Sequence, residues 1–162
     1  MIESWWIILT AAVVLGVLVY VAWPLKKTSR QVHFARARRE FHRHREWLEA
    51  KFIRLAAARA ADGSPRWDDC YFDDAVAYVR NRNTNELSAF VEVTVAVDDF
   101  PGSPTDVAGI VSNVRVGTAV FRYDRDHWET DGRAILNLSP AEAIRLYRND
   151  LEMIDQELAG RT

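Results

Sequence analysis

The sequence predicts an α+β fold: an N-terminal transmembrane helix, a long basic helix, a four-stranded antiparallel sheet and a C-terminal helix. Three observations predict it. Residues 5–23 carry no charge, residues 28–61 contain neither Gly nor Pro, and after Pro65 the hydrophobic period changes from helical to alternating. The composition agrees with a folded chain: 49% of the 162 residues are hydrophobic and 27% are charged, which excludes a collagen-like or wholly disordered polypeptide. A single cysteine excludes an intramolecular disulfide framework and any multi-cysteine zinc site.

The first element, WWIILTAAVVLGVLVYVAW, would rise about 28 Å as a helix, close to the thickness of bilayer hydrocarbon. Trp5 and Trp6 stand at one end and Tyr20 and Trp23 at the other, where interfacial rings are expected. A cleaved signal peptide fits less well, because Glu3 is the sole early charge. Lys26, Lys27, Arg30, Arg36, Arg38 and Arg39 follow at once. The positive-inside rule then places the N-terminus outside a cell membrane, crossed once, and the C-terminal domain in the cytoplasm. The lone Cys70 agrees with a reducing compartment. Ala12 and Gly16 form a small-xxx-small pair that could seat a second copy of the helix, a route to a homodimer. The expected organisation is therefore an anchor over 1–25, a basic juxtamembrane helix over 26–46 and a cytoplasmic α+β domain over 47–162.

Pro24 marks the expected exit from the anchor. The long helix that follows repeats Phe34, Phe41, Leu48 and Leu55 every seven residues, but the positions that would complete a coiled-coil seam are mostly polar. A split helix is the better reading. Its first half is basic and solvated, and its second half lays Trp47, Leu48, Phe52 and Leu55 on a core. Beyond the Asp62-Gly63-Ser64-Pro65 turn, Cys70 to Arg80 pairs across a polar turn at 81–86 with the clearest strand in the chain. There Leu87, Ala89, Val91, Val93, Val95 and Val97 alternate with Ser88, Phe90, Glu92, Thr94 and Ala96. Asp98 to Asp106 reads as a loop, and Val114 to Tyr123 and Trp128 to Leu136 as a second hairpin. Ser139-Pro140-Ala141-Glu142 is a capping box with Pro at the first helical position. Behind it Ile144, Tyr147, Leu151, Ile154 and Leu158 keep helical spacing to Gly160.

The phrases RWDDCYFDDAVAYVR and WETDGRAILNLSPAEAI, with ARREFHRHREWLEAKF upstream, resemble a group of uncharacterised bacterial single-span membrane proteins with a small cytoplasmic α+β domain. The order of elements is similar to cystatin-like and NTF2-like folds. That resemblance implies an architecture and no chemistry.

Candidate chemistry is sparse. Asp68, Asp69, Asp73 and Asp74 bracket Cys70, but on a strand they divide two and two between opposite faces. Cys70 as a nucleophile would need His127 beside it, and the neighbouring carboxylates oppose thiolate formation. His42 and His44 point away from each other on a helix, and His42–Glu46 is a single pair, so no metal site is expected. DRDHWETDG fails as a calcium loop in either alignment and reads as a hairpin turn. No phosphate-binding glycine loop, dinucleotide fingerprint, H-E-x-x-H or G-x-S-x-G occurs. No catalytic residue and no cofactor is assigned.

Charge is strongly segregated. Residues 26–59 hold 11 Lys/Arg against three Glu, +8, while 60–162 hold 10 against 19 acids, −9. The six basic residues from Lys26 to Arg39 are the candidates for contact with anionic lipid headgroups of the bilayer; nucleic acid is the lesser use of the same charge. The functional expectation is a membrane-tethered cytoplasmic binding or scaffold module with an unknown protein partner. The alternative is a small pocket enzyme or ligand-binding domain of NTF2-like type.

Overall fold

The computed structural model describes residues 3–60, 66–96 and 114–160, with side chains of the long helix described for 9–17 and from 31 onward. The expected turn at 62–65, the loop at 98–106 and Val97 lie outside the described residues, as do the side chains of Trp5, Trp6, Tyr20, Trp23, Lys26, Lys27 and Arg30. The chain divides into two compact units, residues 1–40 and 41–162.

Residues Glu3–Arg59 form one helix, α1, whose backbone continues through Pro24. Among the described residues no helix is long and apolar enough to cross a membrane. This overturns the expected transmembrane helix and, with it, the single-pass membrane placement.

The second unit contains the C-terminal part of α1, six strands and a short helix. The strands are β1 (Arg66–Asn81), β2 (Leu87–Ala96), β3 (Val114–Asp124), β4 (His127–Glu129), β5 (Ala134–Leu136) and β6 (Leu151–Glu157); helix α2 (Pro140–Leu146) lies between β5 and β6. All pairings are antiparallel, in the order β4-β3-β2-β1-β6, with β5 also on β3. The sheet is therefore six-stranded rather than four-stranded.

Two departures account for the extra strands. The expected strand 128–136 is interrupted at Gly132, whose φ of 72° places it in the left-handed region. Thr130, buried beside it, donates its hydroxyl to Val120 O at 3.2 Å and accepts from Gly132 N at 3.1 Å, so β4 and β5 meet β3 separately. The expected C-terminal helix starts as foreseen, with the Ser139–Glu142 capping box formed, but stops at Tyr147. Asp150 N and Leu151 N both donate to Tyr147 O, and Arg82 N donates to Asp150 O at 2.7 Å, fastening this turn to the β1–β2 hairpin. Residues 151–157 then pair with β1, whose backbone groups a helix would have left without a strand.

One face of the sheet is covered by α1. Phe41, Leu48 and Phe52 have no exposed surface and Ala56 almost none, a stripe at spacings of seven, four and four. Leu87, Ala89, Val91, Val93 and Val95 are all buried, as their alternation foretold, and register places Ala119, Phe121 and Tyr123 beside them. Trp47 departs from expectation: it is 57% exposed, and Lys51 Nζ lies 5.1 Å from its ring centre. The core stripe is centred further round the helix, so Phe41, assigned to the solvated half, is buried, and Trp47 is not.

Arg45 joins the helix to an irregularity in β1, where register shifts between Phe72 and Val76. Its guanidinium donates to Asp73 O and to Asp74 O (3.0 Å), while Nε donates to Glu49 Oε1 at 2.7 Å. These carbonyls are turned out of the ladder by the bulge, and Arg45 satisfies them. Arg45→Met keeps the aliphatic stem but abandons both acceptors; the expected loss is about 1–3 kcal/mol, read by urea denaturation. A loss below about 0.3 kcal/mol would mean that water serves the two carbonyls equally well.

Candidate surface for protein docking

The second face of the sheet is only half covered. Ala77, Val79 and Phe90 cluster with Ala143 of α2, and Val120, Ile135, Leu138, Ile144 and Leu151 pack around them. Thr118, fully buried, donates its hydroxyl to Leu138 O at 2.8 Å and closes this covered half. Beyond Thr118 and its partner Glu92 the covering stops. Tyr71, Thr94 and Val116 are neighbours in register across β1, β2 and β3, and Arg66, Ala96 and Val114 form the next row. Tyr71 is 68% exposed, Val114 50% and Val116 39%. A seven-residue helix is too short to reach these rows, because each row lies about 6.7 Å further along the strands. The result is a flat apolar surface, charge-free in its central row, with Glu92 on one side and Arg66 on the other. Sequence reasoning noted the alternation of β2 but did not single out its second face as a surface. The available signal was that Glu92 is the sole charge among Ser88, Phe90, Glu92, Thr94 and Ala96.

The polar candidates do not converge. Asp69 pairs with Arg66 at 3.2 Å, Asp73 accepts from Ala75 N, and Asp74 lies 4.0 Å from Arg45. His42 Nε2 meets Glu157 Oε2 at 2.7 Å rather than Glu46. Among the described residues no group of three or more His, Cys, Asp or Glu side chains is arranged to hold a metal ion. Arg36, Arg38 and Arg39 are exposed in the first unit, where Arg39 Nε donates to Ala35 O at 3.2 Å.

Cys70 and His127 stand on β1 and β4, with β2 and β3 between them, so they form no nucleophile–base pair. His127 is held instead by Asp126 (3.1 Å) and Glu129 (2.9 Å), one on each ring nitrogen. Those two hydrogen bonds hold its pKa above the ordinary imidazole value, and the imidazolium in turn lowers that of Glu129.

No family model, curated protein or solved structure matches this chain. The surface must be read from its own chemistry.

Partial burial pushes the Cys70 thiol up to about 11, with Glu49, Asp68 and Asp69 adding to the effect. The fold thus favours the neutral thiol. That advantage is complete below the thiol's ordinary pKa and is lost as pH rises toward about 11. Alkylation of the native chain by iodoacetamide is accordingly expected to be negligible at pH 7 and to accelerate through pH 9–11. Rapid labelling at pH 7 would contradict this environment for Cys70.

Proposed function

We propose that this chain is a protein-binding scaffold module whose open half-sheet docks a second copy of itself. The observation that carries the reading is the row Tyr71–Thr94–Val116, exposed at Tyr71 and Val116 and half-buried at Thr94, with exposed Val114 and half-buried Ala96 beside it. Two sheet faces pack at about 10 Å with their strands nearly aligned, and β-branched side chains suit that contact. A two-fold axis running along the Thr94 row sets each row against its own copy or its mirror neighbour. Glu92 of one protomer then faces the Ala96 row of its partner, while Tyr71, Thr94 and Val116 meet their equivalents.

The interior supports a surface, rather than a cavity, as the working part. Between α1 and the sheet, Phe41 sits 5.0–6.0 Å from Trp128, Phe121 and Tyr78, and Phe52 sits 5.5–5.8 Å from Trp67, Phe72 and Phe121, ring centre to ring centre. That packing supports a filled aromatic core between α1 and the sheet.

Sedimentation equilibrium tests the proposal. The wild-type chain is expected to form a concentration-dependent dimer, and Tyr71→Arg, at an exposed position that tolerates substitution, to shift it toward monomer by about ten-fold or more in Kd. A wild-type chain that stays monomeric, or a dimer indifferent to Tyr71→Arg, would overturn it. Both substitution and wild type should unfold alike within about 0.5 kcal/mol.

A further inference from the structure

We draw no further inference here: the strongest candidate, the solvent-facing patch on α1 where Trp47 stands 57% exposed beside Lys51 and Arg54, carries nothing, because Lys51 Nζ already lies 5.1 Å from the indole ring centre and nothing in the structure shows what covers it.

Discussion

Gly132→Ala is expected to destabilise the second unit by about 2–5 kcal/mol, from about 1–2 for left-handed backbone and about 1–3 for overpacking. A Cβ built on Gly132 would stand 2.7 Å from Ala56 N and from Leu55 Cβ, so the loop between β4 and β5 lies directly on the α1 backbone. Neither neighbour is the end of a flexible side chain, and relief requires the loop or the helix to move. Gly160 separates the two causes. It shares the positive φ, at 89°, but has nothing within 4 Å of an added Cβ. Gly160→Ala should therefore show the backbone cost alone, and the difference between the two variants in urea denaturation measures the contact with α1. Equal losses would show that Gly132 is needed for its turn and not for the helix.

Phe41→Ala is expected to cost about 3–5 kcal/mol, the range for emptying a large ring from a core. The side chain has no exposed surface, and its ring meets those of Tyr78, Phe121 and Trp128 at 6.0, 5.6 and 5.0 Å. Trp47→Ala, six residues on but 57% exposed, should stay within about 0.5 kcal/mol of wild type. The reverse ranking would restore the helix face that hydrophobicity alone suggests.

That contrast shows how far the sequence is legible. The heptad Phe41–Leu48–Leu55 was visible, but Trp47 adjoins Leu48, and hydrophobicity cannot tell which of two adjacent positions turns inward. The hairpin β1–β2 and the burial of Leu87 through Val95 followed from strict alternation, and Asn81 closes the turn as its composition suggests, accepting from Asn83 N and Thr84 N. The capping box at Ser139 was equally plain, since its bonds are local. Strand β6 was not. Leu151, Ile154 and Leu158 sit at helical spacing, yet the spacing comes from the extra residue Ile154 in a strand, and only the demand of β1 for a partner decides between the two. The expected membrane anchor is overturned because no helix among the described residues is long and apolar enough to cross a membrane.

The docking surface was illegible for a related reason. Tyr71, Val114 and Val116 come from three strands, and no sequence window places them together. Nor does any window show that α2 is too short to cover them.

Two copies meeting through the Thr94 row bring their Thr94 side chains together, and a single cross-link tests this. Thr94→Cys puts a thiol at the row through which the two-fold axis is placed, whereas Ser88→Cys puts one on the same face of β2 two rows beyond Glu92. Under mild oxidation the Thr94→Cys chain is expected to run as a disulfide-linked dimer on a non-reducing gel, while Ser88→Cys and the wild type, with only Cys70, stay monomeric. A Thr94→Cys chain that cross-links no more than these two controls would contradict the pairing.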